Sequence, residues 1–376
     1  MGRKLRSAAV GCVVGAVAAV LLPVPATAAP TEQWHLAALR IPEAHQITSG
    51  TGVVVAVIDS GVRPHPDLDG QVLAGTDISD KDPSEDNGHG TVCAALIAGR
   101  GPAPGKILGI APGAKILPVR IGNDGGGVAF LRHDEAVRWA VDHGAKVINM
   151  SIGVIGRGEA TLADAVAYAL DHDVVVVASS GNKGADLDEI PAPANVPGVI
   201  AVGATGRDGN LWDGTVTGPE LTLTAPGVDL PGAYPTDPGK PARYTTIPGG
   251  TSASAPIVAG AAALVRAKYP QLSANDVIQR LISTADDAGE PGRDDEYGYG
   301  RLNIVKALTA DVEPVTENPL GEPERTSDVA IPAPEEERDV TGALLFVAGL
   351  FGVFLLLMIG LVVFLFWINR RASLQR

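Results

Sequence analysis

"VVVAVIDSGV", Val53 to Val62, is a run of six apolar residues that ends abruptly in Asp59, a serine and a glycine. A short stretch so rich in valine reads as a strand covered on both faces, as in a parallel sheet. Four other stretches share this character: Lys115–Ile121 (KILPVRI), Lys146–Ile152 (KVINMSI), Val174–Ser179 (VVVVAS) and Val199–Ala204 (VIAVGA). Between them, "FLRHDEAVRWAVDHG" (130–144) and "TLADAVAYALDH" (161–172) carry apolar residues at helical spacing. This alternation, from Gly52 to about Ala310, predicts an α/β domain of three layers around a mainly parallel central sheet.

In such a sheet, ligands bind beyond the carboxyl ends of the strands. Asp59 stands at one of those ends, although an acid in that place often only caps the next turn. "DNGHGTVCAALIAG" (86–99) sets His89 between two glycines at the start of an apolar helix. "SSGNKG" (179–184) puts Asn182 at another strand exit, where a side-chain amide could serve a turn or donate to a developing oxyanion. "GGTSASAPIVAGAAALV" (249–265) opens a further helix with two serines. Ser252 falls at the N-terminal end of that helix, where free N–H groups and the helix dipole favour negative charge. A simple N-cap is the bland alternative. Ser254 reads as a packing residue, and Pro256 as a first-turn proline whose missing N–H has no helical partner. His65, His133, His143 and His172 read as loop or polar-face residues. Cys93, in an apolar helical stretch, reads as a small packing residue.

Taken together, "VIDSGV", "GHGT", "SSGN" and "GTSASAP" resemble the four signature blocks of the subtilisin-like serine proteases, in that family's chain order. The resemblance implies a three-layer subtilisin-like fold. It also implies Ser252 as nucleophile, His89 as general base and then acid, Asp59 as orienting carboxylate, and Asn182 in the oxyanion hole. "NMSIGV" (149–154) resembles the strand that pairs with substrate backbone and walls the pocket for the residue before the cut, which gives Ser151, Ile152 and Gly153 as binding residues. "GGG" (125–127) resembles the opposite edge, which gives Gly125, Gly126 and Gly127. An extended peptide would lie between the two as an added strand. The substrate is then a peptide or protein, and no cofactor or metal is required. The acidic loop "DISDKDPSEDN" (77–87) could hold calcium, although such loops are more often simply solvated.

Both ends of the chain have the character of membrane segments. Arg3, Lys4 and Arg6 precede an apolar run from Ala8 to Leu22 and the small residues Ala26-Thr27-Ala28, which is the order of a secretory signal. Ala343–Ile368 has no charged residue and, at ~1.5 Å per residue, is long enough to cross a roughly 30 Å hydrocarbon core. Three glutamates at 335–337 precede it, and Arg370, Arg371 and Arg376 follow, so the positive-inside bias puts the tail in the cytoplasm. The expected organisation is a signal peptide over 1–28, a short, polar N-terminal extension over 29–50 and a peptidase domain over 51–310. A Pro/Glu-rich linker over 311–341, a transmembrane helix over 342–368 and a cytoplasmic tail over 369–376 complete it. Loss of the signal would leave Cys93 as the one cysteine, with no intrachain disulfide.

The short extension containing "EQWHL" and "PEAH", the linker and the single span resemble the mycosins, membrane-anchored subtilases associated with type VII secretion in actinobacteria. That resemblance implies an extracytoplasmic endopeptidase at the cell membrane, with a type VII secretion complex as partner. A mainly structural part in such a complex, or a general cell-surface subtilase, are the alternative readings. A formal net charge of −14 argues against a nucleic-acid partner. The sequence lacks HExxH and any histidine pair at helical ligand spacing, so a metal hydrolase finds no support.

Overall fold

The computed structural model describes residues 32–79, 87–101, 105–121, 132–153, 159–184 and 188–325. The chain divides into two units between Arg325 and Thr326, and every described residue lies in the first.

The expected strands form at nearly the expected bounds: β1 (Val54–Asp59), β3 (Lys115–Arg120), β4 (Val147–Met150), β5 (Val175–Ser179) and β6 (Ile200–Thr205). With β2 (Thr76–Asp77) and β7 (Leu221–Pro226) they make a seven-stranded sheet in the order β2-β3-β1-β4-β5-β6-β7. Every pairing in it is parallel. The chain leaves β1 toward β3 on one side and later returns to β4 on the other. The carboxyl end of β1 is therefore a topological switch point, where a crevice opens. Asp59 is the last residue of that strand.

Side chains alternate between the two faces, as the pleat requires. Val55, Val57, Val147, Val175 and Val177 join one core with α3 (His89–Ala98), α6 (Thr251–Lys268) and α7 (Ala274–Ser283). Ala56, Ile58, Ile148, Met150 and Val176 join the other, with α4 (His133–Asp142) and α5 (Glu159–Asp171). This is the predicted three-layer arrangement.

Helix α6 is apolar nearly all round because it is surrounded on nearly all sides. Its small residues let neighbours approach closely: a Cβ on Gly260 would meet Ile110 Cβ at 2.6 Å. A hairpin of β8 (Leu230–Tyr234) and β9 (Arg243–Ile247) lies outside the main sheet, against α3. There a Cβ on Gly232 would meet Val92 at 2.9 Å.

Two stretches differ from the polar, extended character their composition implies. The N-terminal extension folds into α1 (Trp34–Ala38) and α2 (Ile41–Ile47), with Trp34, His35, Ile41 and Ala44 buried. Gln33 bonds both ways with the backbone of Lys106 and Leu108, and Trp34 Nε1 donates to Val228 O at 3.1 Å. Beyond α8 (Ile304–Thr309), residues 311–325 run without helix or strand along the domain. They are held there by Val315 N on Asp276, Gly198 N on Leu320 O and Arg325 on Asp171. Among the described residues no helix is long and apolar enough to cross a membrane. The expected signal peptide (1–28), the span over 342–368 and the tail over 369–376 all lie outside the described residues.

Candidate active site

Asp59 is 2% exposed, and its Oδ1 accepts the Ser60 N–H at 2.7 Å. His89 is the first residue of α3. Its Nδ1 lies 2.8 and 2.9 Å from the two Asp59 carboxylate oxygens. An ionised carboxylate can only accept, so Nδ1 carries the proton and Nε2 is the basic nitrogen of the neutral ring. The Asp59 charge holds the imidazole pKa well above its ordinary 6.5, against the opposing effect of burial.

The glycines flanking His89 have separate reasons. Gly88 is left-handed (φ 81°), and a Cβ there would strike Pro235 Cδ at 2.6 Å. A Cβ on Gly90 would approach Gly61 O to 2.3 Å, so its absence lets α3 press onto the end of β1. Asn87 Oδ1 accepts the His89 N–H at 2.9 Å and closes the helix start.

Ser252 is the second residue of α6, so its own N–H is among those without a helical partner. Its Oγ donates to Ser151 O at 3.4 Å rather than to His89. The two residues are joined through Cys93, whose Sγ lies 3.9 Å from His89 Nδ1 and donates to Ser252 O at 3.6 Å. Ser254 is fully buried and donates to Ala225 O and Pro226 O, in keeping with a packing role.

Asn182 is fixed by the residue before the serine. Its Oδ1 accepts both the N–H and the hydroxyl of Thr251, each at 3.0 Å, while Thr251 Oγ1 accepts the Gly181 N–H at 3.2 Å. The Thr251 N–H must donate, which assigns the amide orientation and leaves Nδ2 as a donor. No acceptor among the described residues takes it. A Cβ on Gly250 would sit 3.8 Å from Asn182 Nδ2 and 4.0 Å from Ser252 N. Both donors thus face one small volume that Gly250 leaves open. Gly250 is extended (φ 168°), so space rather than backbone conformation explains the glycine.

Several expectations need correction. Pro256 is the sixth residue of α6, not a first-turn residue, so its missing N–H would have had Ser252 O as its partner. Ser151 lies just past the end of β4 and is buried, and its hydroxyl turns inward onto Ser252 O at 3.1 Å. This leaves the backbone of Ser151 for the pairing with substrate expected of it. Ile152 is partly exposed and Gly153 exposed.

His65 lies in a loop, as expected, yet is buried, and His133 opens α4 and is buried rather than on a polar face; His65 Nε2 bonds Arg243 O at 3.0 Å, and its Nδ1 accepts the Asp67 N–H. Gly125, Gly126 and Gly127 lie outside the described residues, as does most of the acidic loop proposed for calcium. Asp77, at its start, is engaged by Arg120 at 2.7 Å and by Ser79. Among the described residues, three side chains of metal-ligating type cluster once, as Asp59, His89 and Cys93.

Sequence reasoning missed Cys93 and Thr251 as site residues. The signal was available in both cases. Cys93 follows His89 by one helical turn, and so shares its face. Thr251 is the residue that opens α6 and carries a hydroxyl there.

Residues 50–300 match the model of the Subtilase family. The chain belongs to that family. Subtilisin BL from Lederbergia lenta is 37% identical over 278 residues, 73% of this chain and 97% of that protein. The thermostable alkaline protease of Halalkalibacterium halodurans is 33% identical over 284 residues, 75% of this chain and 74% of its own. Among solved structures, MycP1 from Mycobacterium smegmatis superposes with a TM-score of 0.68 at 28% identity, covering 81% of this chain and 90% of that one. The MycP3 protease from the type VII (ESX-3) secretion system gives 0.62 at 31% identity, covering 77% and 91%. The chain is thus a subtilisin-like serine endopeptidase with mycosin-like structural kinship.

Proposed function

We propose that this subtilase is a membrane-anchored, extracytoplasmic endopeptidase that works beside a type VII secretion complex and cuts exposed peptide segments by acyl-enzyme chemistry. Ser252 Oγ attacks the scissile carbonyl while His89 Nε2 takes its proton. Asp59 stabilises the imidazolium, and the same proton then passes to the leaving amine. The oxyanion forms in the volume above Gly250, where Asn182 Nδ2 and the Ser252 N–H donate to it. Water, deprotonated by His89, then hydrolyses the acyl-enzyme. For the first step the Ser252 hydroxyl exchanges Ser151 O for the imidazole, a bond of the kind that tightens when substrate seats.

The observation that carries this reading is the pairing of His89 with buried Asp59 at the switch point, together with two donors converging beside Ser252. Anchoring is supported by the uncharged stretch Ala343–Ile368 and the arginines that follow it. The type VII setting is supported by likeness to MycP1 and MycP3.

A fluorophosphonate probe applied to the purified chain should modify Ser252 and leave the Ser252→Ala variant unlabelled; label retained in that variant would discard the nucleophile. In cells, the full chain should sediment with membranes and a chain ending at residue 341 should not. Comparison of secreted proteins from wild-type and Ser252→Ala cells should reveal altered termini among type VII substrates. Identical termini in both would remove that assignment.

A further inference from the structure

We infer that Asn149 and Ser151 position the nucleophile by replacing the helical hydrogen bond that Pro256 takes away from Ser252. In a regular helix, Ser252 O would accept the N–H of residue 256, four positions on. Proline has no N–H, so this carbonyl, one turn upstream and in the active site, lacks its helical donor. Ser151 Oγ supplies a replacement at 3.1 Å, with Cys93 Sγ as a second, weaker donor at 3.6 Å.

Ser151 is itself aimed by Asn149, whose Nδ2 donates to Ser151 Oγ at 3.1 Å. The relay has a fixed direction, because Ser252 O can only accept: amide N–H to hydroxyl, hydroxyl to carbonyl. Asn149 is fully buried in β4, clamped between β1 at Val57 and β5 at Val177. Among the described residues its Oδ1 has no hydrogen-bond partner, an unusual cost for a fully buried amide.

The brace ties the peptide plane after Ser252 to the middle of the sheet. That plane sets the direction of the Ser252 Cα–C bond, and with it the aim of Oγ between Ser151 O and His89. The residues act through Ser252, so they are positioning rather than catalytic residues.

The inference rests on the proposed role of Ser252, and a double-mutant cycle separates the two. The rate of fluorophosphonate reaction per titratable site reports the aim of Oγ, whereas misfolding lowers only the number of sites. Ser151→Ala should slow that rate roughly tenfold and lower kcat on a peptide substrate with KM nearly unchanged. In a Pro256→Ala background, where residue 256 regains an N–H for Ser252 O, the same substitution should cost less than about threefold.

Equal losses in the two backgrounds, or no loss in the first, would overturn the brace. Should Pro256→Ala fold poorly, Asn149→Ala alone gives the test: a slower rate per site is expected, and an unchanged rate would overturn the relay. Wild-type protein unlabelled at Ser252 would overturn the triad and the brace together. Label at Ser252 with additive effects would overturn the brace alone.

Discussion

Two helix starts meet in the proposed active site, and they are capped alike. At α3, Asn87 Oδ1 accepts the His89 N–H; at α6, Asn182 Oδ1 accepts the Thr251 N–H. Their electrostatic tasks are opposite. The positive end of a helix dipole favours an anion, so at α6 it assists the charge that develops when Ser252 attacks. At α3 it opposes the imidazolium that His89 must become. The Asp59 carboxylate reverses that preference and raises the pKa. A helix terminus thus serves the serine directly, but serves the histidine only with a buried counter-charge.

The capping asparagines differ as well. Asn87 is two residues from its partner and only closes a turn. Asn182 is 69 residues from Thr251, and with Oδ1 committed to the helix, its Nδ2 is left as the donor that the proposed mechanism gives to the oxyanion. One side chain ties two parts of the chain together and points a donor at the reaction.

Substitutions can break this contrast in order of size. Ser252→Ala should abolish turnover, a loss on the order of 10⁶ in kcat measured on a peptide substrate, with Tm little changed. Asp59→Asn should cost about 10⁴ in kcat, because the imidazole loses both its tautomer and its counter-charge. Asn182→Asp keeps an oxygen for the Thr251 cap but removes the amide donor. It should lower kcat by roughly 10² to 10³ with KM nearly constant, whereas a pure cap would leave kcat intact.

Gly250→Ala puts a methyl between the two oxyanion donors without straining the backbone; kcat should fall about tenfold in a protein of normal stability. Asn87→Ala, by contrast, should show up in denaturant unfolding as a loss of about 1 kcal/mol, with the smallest effect on kcat of the five.

The buried strands were legible because β1, β3, β5 and β6 read as runs of apolar residues and β4 is interrupted by Asn149 alone. Strand β7 was not, because it alternates Thr222 and Thr224 with leucine and alanine. Both threonines are buried and use their hydroxyls on backbone groups of Ala201 and Gly300. The N-terminal extension looked polar by composition, yet Trp34, His35, Ile41 and Ala44 are buried and anchor it. Such burial depends on tertiary partners that a local window does not contain.

In the proposed site, the short motifs singled out Asp59 and His89, which the structure pairs, and Asn182 and Ser252, which it brings beside Gly250. The role of Thr251 in fixing Asn182 was not, since it joins residues 69 apart. Pro256 was misplaced because the helix begins at Thr251, which moves the proline past the first turn. The consequence for Ser252 O follows only from that register.

The central claim is that Asp59 tunes His89 to activate Ser252. It is tested most directly by the rate of fluorophosphonate modification against pH, with the labelled residue mapped by mass spectrometry. His89 must be neutral to accept the serine proton, and Asp59 raises its pKa. The wild-type rate should therefore climb with pH through an ionisation above 6.5. In Asp59→Asn that ionisation should move down, with all label still on Ser252. A wild-type rate independent of pH, an ionisation that stays in place in Asp59→Asn, or label on a different residue would contradict the account.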